Sequence, residues 1–284
     1  ADLEHLMEQH PEVDVLAQQL SKKGNSHFLL SGLYASARGM ILAALHSRLK
    51  QKGSAPTMLI VMDNADDAQY MYADLKTLLG EKDIYFFPSS YRKRQRIDEV
   101  LTVQRTEVLS ALLGEEAIRI KGDKARGVII VTYPEALVET VPQPQSLQNK
   151  TITLSVGDEI AISQLTEMLL ELDFKRVDFV YEPGQFAVRG GIVDVYSYAC
   201  DIPVRIDFFG DEVDSIREFE LETQLSQNKV DTISVVASSV DEQAMTNLTA
   251  YLPQKTLWIS NDFGLASYKI KSAITEFDEA ILTQ

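Results

Sequence analysis

The run Ser31-Gly32-Leu33-Tyr34-Ala35-Ser36-Ala37-Arg38-Gly39 has the spacing of a phosphate-binding loop, G-x-x-x-x-G-K-[ST], between an apolar stretch and a helical run. Such a loop holds a nucleoside triphosphate. Its glycines let backbone N–H groups close on the phosphates, its lysine reaches the outer phosphates, and its hydroxyl ligates magnesium. Here Ala37 stands where the second glycine belongs, Arg38 where the lysine belongs, and Gly39 where the hydroxyl belongs. An arginine at a helix N-terminus still attracts an anion, but nothing is left to hold the metal that neutralises charge during phosphoryl transfer. Two readings follow: a nucleotide-binding fold with its chemistry removed, or a Gly32 that only opens a strand-to-helix turn. Neither leads to an expected cofactor.

The other candidates for chemistry are sparser. Thr256 to Ser260 reads as an apolar strand running into Asn261-Asp262-Phe263, where nucleotide-hydrolysing sheets place the acidic residues that hold magnesium and position water. Asp262 stands alone there, and a turn or helix-cap role competes with a catalytic one. His5, His10, His27, His46 and Cys200 form no metal-ligand spacing, so no metal is expected. The basic run Arg92, Lys93, Arg94 and Arg96, beside Phe86 and Phe87, could touch phosphate; it could equally be the solvated entry to a helix opened by Asp98 and Glu99.

These residues need a frame to position them. With 284 residues and 45% apolar content, the chain can bury a substantial core in two or three domains. The net charge of −15 argues against wrapping a nucleic-acid backbone. One cysteine, no run long enough to span a membrane and no basic-then-apolar leader point to a cytoplasmic setting without membrane association. The first two dozen residues read as helical, interrupted at Pro11. Strands at 28–31, 58–62, 84–87 and 128–131 then alternate with helices at about 36–50, 65–79 and 97–113, and such alternation predicts a parallel sheet covered by helices. A boundary falls near 145. Beyond a helix at 162–172, short strands at 176–181, 185–188, 192–196, 204–208 and 213–219 are joined by Pro183-Gly184, Gly190-Gly191 and Gly210-Asp211, the pattern of an antiparallel meander. A strand at 233–236, a helix over 241–251 and the strand at 256–260 complete the expectation.

Within that meander, Glu182 to Val195 (EPGQFAVRGGIVDV) and Pro203 to Arg217 (PVRIDFFGDEVDSIR) resemble the module shared by the excision-repair protein UvrB and the bacterial transcription-repair coupling factors. UvrB carries a working phosphate loop and a long aromatic hairpin. Here the loop is broken, and only Arg92 to Ile97 separate Tyr91 from the next helix. The chain therefore looks like the N-terminal UvrB-like module of a coupling factor. The resemblance implies an α/β fold with a helicase-like, P-loop-type parallel sheet and a degenerate nucleotide site, plus an inserted small β-rich domain. It divides the chain into a helical arm (1–25), a helicase-like domain (26–147), the β-rich domain (148–232) and a returning segment (233–284). It implies a non-catalytic role in recruiting UvrA to RNA polymerase stalled at lesions, with polymerase and DNA engaged by domains beyond this chain. A UvrB-type ATP-dependent helicase subunit and a DNA-binding module stand as alternatives.

By the same resemblance, Arg189, Arg205 and Phe209 match positions that contact UvrA. Strand alternation puts Arg205, Asp207 and Phe209 on one face and Val204, Ile206 and Phe208 on the other. Arginine with an exposed aromatic suits protein recognition, and all three positions are expected to be exposed. The competing structural reading pairs Arg205 with Asp207 and turns Phe209 inward.

Overall fold

The computed structural model describes residues 10–22, 24, 27–53, 56–80, 83–92, 96–97, 99–120, 127–200, 202–237 and 245–282. In chain order the elements begin α1 (Pro11–Leu20), α2 (Ala37–Gln51), β1 (Met58–Val61), α3 (Ala65–Leu79) and β2 (Ile84–Phe86). The short pair β3 (Tyr91–Arg92) and β4 (Arg96–Ile97), then α4 (Glu99–Ile120), β5 (Ile129–Thr132), α5 (Pro134–Val138), β6 (Val141–Pro142) and α6 (Pro144–Asn149) follow. The β-rich part comprises β7 (Thr151–Ser155), α7 (Ile162–Glu171), β8 (Lys175–Arg176), β9 (Gln185–Arg189), β10 (Ile192–Tyr196), β11 (Val204–Phe209), β12 (Glu212–Phe219), β13 (Ser226–Val230) and β14 (Thr232–Val236). Last come β15 (Met245–Thr246), a 3-10 turn (Leu248–Tyr251), β16 (Leu257–Ser260) and α8 (Phe263–Leu282).

Two compact units result. The first takes 1–89, 111–139 and 252–284; the second takes 90–110 and 140–251. Beyond the 148–232 span expected of a β-rich domain, the second unit gathers 140–147 and 233–251, because β6 pairs with β15 and β7 with β14.

In the first unit, four parallel strands lie in the order β16-β1-β5-β2. All four residues of β1 and of β5 are buried, as expected of strands covered on both faces. The helices are locally specified. Asn64 caps α3 by accepting from the Asp67 N–H at 2.9 Å, Asp66 and Asp67 sit in its positive first turn, and Gly80 follows its last residue at φ +84°. Pro11 begins α1, where its missing N–H has no intrahelical partner to lose; residues 1–9, also read as helical, lie outside the described residues. The helix docks on α2 through buried Val13 and Ala17 and through Asp14, which accepts from Arg48 at 2.6 and 2.8 Å. Together with Lys52, Arg48 holds the Asp14 carboxyl down at about 2.

One expected strand is missing. Residues 28–31 run without strand pairing, and Leu29 is 89% exposed. Both edges of β1 are occupied, by β5 and by the late-arriving β16, so the segment has no place beside it. Two further expectations shrink: the strand at 176–181 is reduced to Lys175–Arg176, and of the helix at 241–251 only the 3-10 turn is present, 241–244 lying outside the described residues.

In the second unit six strands lie in the order β13-β12-β11-β10-β9-β8, antiparallel except where β8 joins β9. One face is the core: Phe186, Val193, Val195, Val204, Ile206, Val213 and Ile216 pack with Leu165 and Leu169 of α7 and with Ile152, Leu154, Ile233 and Val235 of the β7–β14 pair. The β11–β12 register shifts between Asp207 and Phe208, opposite the extra residue Asp214. That bulge is why Val213 and Ile216, three apart, both face the core.

Candidate functional site

With one face of the six-stranded sheet committed to the core, alternation sends Arg189, Asp194, Arg205, Asp207 and Arg217 to the opposite face. The β9–β10 hairpin sets this geometry. Its two-residue turn, Gly190 at φ +61° and Gly191, pairs Arg189 with Ile192 and so fixes Asp194 opposite Ala187. Across the other edge of β10, Asp194 lies opposite Arg205, and Arg205 in turn lies opposite Arg217.

Asp194 is fully buried, and it is the pivot of the face. Arg205 grips it with two bonds, Nε to Oδ1 at 2.7 Å and Nη2 to Oδ2 at 2.9 Å, the bidentate geometry that suits a guanidinium and a carboxylate. Arg189 donates to the same Oδ2 through Nη2 and to the Asp178 carbonyl through Nη1 at 3.2 Å. Each guanidinium also lies over an aromatic ring: Arg205 is 4.8 Å from the centre of Phe219, and Arg189 is 5.2 Å from that of Phe179. Arg205 donates further to the Gln224 carbonyl at 3.2 Å. The Asp194 bond raises the Arg205 pKa above its ordinary value, so this cation is permanent.

The sheet brings Arg189 and Arg205 together on one carboxylate and puts Phe209 on the same face, four residues along β11 from Arg205 or ~13 Å at strand rise. Phe209 is 80% exposed, at the tip of the β11–β12 hairpin, while Phe208 packs on the core side. The inward Phe209 of the competing reading does not occur. Arg205 differs from the expectation of exposure: its side chain is only 16% accessible, because Asp194 and Phe219 cover it. Nor does it pair with Asp207, whose carboxylate accepts from Ser215 at 3.0 Å and lies 3.6 Å from Arg217. Sequence reasoning missed Asp194. A charged residue inside the apolar run Ile192 to Tyr196 was its signal, but the Arg205 partner depends on the seven-residue connection before β11, whose course no local pattern sets.

The segment compared with a phosphate loop, 32–39, makes contacts within the chain itself. Gly32 (φ +79°) and Ala35 (φ +47°) form an exposed turn, and Ala37 begins α2. Arg38 donates from Nη1 to the Asn261 Oδ1 at 2.8 Å, and Asn261 donates to the Asp63 carboxylate at 3.2 Å. Lys269 reaches the Asp63 carbonyl at 2.8 Å. Gly39 is buried, and a Cβ there would meet the Asp74 Cβ at 3.4 Å. Asp262 is a helix cap: its Oδ1 accepts from the N–H groups of Gly264 and Leu265 at 2.7 and 3.0 Å. Of the basic run, Arg92 and Arg96 lie opposite each other in β3 and β4, while Lys93 and Arg94 lie outside the described residues. Among the described residues no cluster of metal-ligating side chains is found, and no helix is long and apolar enough to cross a membrane.

Comparison with known proteins agrees with this anatomy. Residues 152–240 match the family model of the UvrB interaction domain, a span that starts in β7 and includes the whole six-stranded sheet. A transcription-repair-coupling factor of Staphylococcus aureus (strain USA300) is 27% identical over 272 residues, covering 91% of this chain and 22% of the relative. That of Bacillus subtilis (strain 168) is 30% identical over 216 residues, covering 75% of this chain and 17% of the relative. The chain thus spans about a fifth of the length of the curated relatives it matches.

Proposed function

We propose that this chain, a UvrB-like module of the transcription-repair-coupling-factor family, is a non-catalytic recruitment module that binds the excision-repair protein UvrA through the outer face of its six-stranded sheet. The observation that carries the reading is the coincidence of three things on one face: the UvrB interaction domain match, the Arg189 and Arg205 pair locked on Asp194, and the exposed Phe209. A rigid cation pair beside a large exposed aromatic is the composition of a protein-binding hot spot, because little side-chain freedom is lost when a partner docks.

The lack of catalysis is supported by the phosphate-loop region. Arg38 is spent on Asn261, Asp262 caps α8, and no hydroxyl follows Arg38 to ligate magnesium. In this reading the first unit is a helicase-like sheet that has kept its scaffold and lost its motor, and the second unit, built around 148–232, is the domain inserted into it. The ATP-driven displacement of stalled RNA polymerase, and contact with DNA, would be carried by other segments of a longer cytoplasmic protein. Titration of purified UvrA into this chain tests the proposal: saturable binding that Phe209→Ala weakens by at least tenfold supports it, and absence of binding refutes it.

A further inference from the structure

Beyond the three residues matched by resemblance, the outer sheet face carries two further cations, Arg217 and Lys229. Arg205, Arg217 and Lys229 are consecutive cross-strand neighbours on β11, β12 and β13. Like charges directly opposite one another on a sheet repel. The first is held by the buried Asp194, the second has only the longer ion pair to Asp207, and the third has no ion pair with the described residues. Arg217 donates from Nη2 to the Ser215 hydroxyl at 3.1 Å and forms an ion pair with Asp207 at 3.6 Å, while its Nε has no acceptor. Lys229 is exposed and forms no ion pair with the described residues.

This arrangement runs against the composition of its surroundings. Residues 150–232 contain seven Lys or Arg (Lys150, Lys175, Arg176, Arg189, Arg205, Arg217, Lys229) against seventeen Asp or Glu, yet four of the seven lie along this face. We propose that Arg217 and Lys229 are specificity residues that extend the recognition face across β12 and β13, and that they pair with carboxylates on an acidic segment of the partner. The inference rests on the UvrA reading above and names the chemistry of the surface that would meet this face. Protein carboxylates fit better than nucleic-acid phosphates for two reasons. A phosphate backbone needs an extended basic track, which this acidic chain opposes, and Phe179, Tyr181, Phe209 and Leu225 add exposed apolar area in the same unit.

The test is a UvrA titration of the full chain over a salt series, with Arg217→Glu, Lys229→Glu and Phe209→Ala compared against the parent, and thermal unfolding checked for each. Both charge reversals are expected to weaken binding on the order of tenfold and to flatten the dependence of log Kd on log salt, with melting unchanged. Arg217→Lys, which keeps the charge, is expected to retain most of the affinity and to keep the salt slope. Parent-like affinity and salt slope in both reversals, with Phe209→Ala still impaired, overturns this inference and leaves the UvrA reading standing. No UvrA binding by the parent overturns both. Binding of a 20-base-pair DNA duplex that Arg217→Glu abolishes would mean the face reads phosphate, and it too overturns the proposal.

Discussion

Replacing Arg205 by alanine separates a structural role from a recognition role on this face. The substitution deletes both bonds to Asp194, at 2.7 and 2.9 Å, and the stacking on Phe219, leaving a fully buried carboxylate with Arg189 as its remaining cation. Removing one partner of a buried ion pair costs ~3–5 kcal/mol, and the retained Arg189 puts the cost at the low end, ~3 kcal/mol. The second unit holds 21 residues from 90–110 and 112 from 140–251, 133 in all. For a unit of that size each kcal/mol moves Tm by ~3–4 °C, so Arg205→Ala should melt ~10 °C below the parent. Phe209→Ala removes an exposed side chain and should stay within about 0.5 kcal/mol, or ~2 °C. Scanning calorimetry of both variants at pH 7 makes the comparison. An Arg205→Ala chain melting within ~2 °C of the parent would refute the view that Asp194 is held by this pair. Replacing the pair together, as Asp194→Leu with Arg205→Met, should recover much of the loss, because no buried charge is then left alone.

Three further outcomes follow from the same structure. ATP with magnesium should leave Tm unchanged; a ligand present at ~100 times its Kd would add about 2.7 kcal/mol, so stabilisation of that size in a thermal-shift series would contradict the occupied Arg38 site. His46, buried in α2, is held below its ordinary 6.5 by burial first and by the neighbouring Lys50 second. The unfolded chain therefore binds more protons once the pH drops, so this contribution is intact above about 6.5 and is lost progressively below it. Urea midpoints at pH 7.5 and 5.5 should show the loss in the parent and a smaller one in His46→Leu. Gly184 sits at φ +82°, and a Cβ there would stand 2.5 Å from the Tyr198 hydroxyl, so Gly184→Ala should destabilise the second unit by ~2 kcal/mol; an unchanged urea midpoint would show that the Tyr198 ring yields freely.

Sequence pattern alone determined what depends on near neighbours. The alternation of buried strands and helices from 58 to 132, the Asn64 cap, the two-glycine hairpin after Arg189 and the inward-outward split of β11 are all set within a few residues, by periodicity and turn chemistry. The departure of residues 32–39 from the phosphate-loop pattern was equally legible, because it is a matter of which residue types occupy fixed spacings. Tertiary structure decided the pairings between distant segments. Strand β16 arrives 196 residues after β1 and takes the edge beside it, Met58 meeting Leu257 and so on, and 28–31 stays unpaired although its apolar run reads as a strand. Arg38 finds Asn261, 223 positions away, and Arg205 passes over Asp207 on its own strand for Asp194 on the next. The reason is geometric. Residues two apart on a strand stand ~6.6 Å apart, while directly opposed residues on neighbouring strands stand ~5 Å apart, so the buried carboxylate across the ladder outcompetes the one along it.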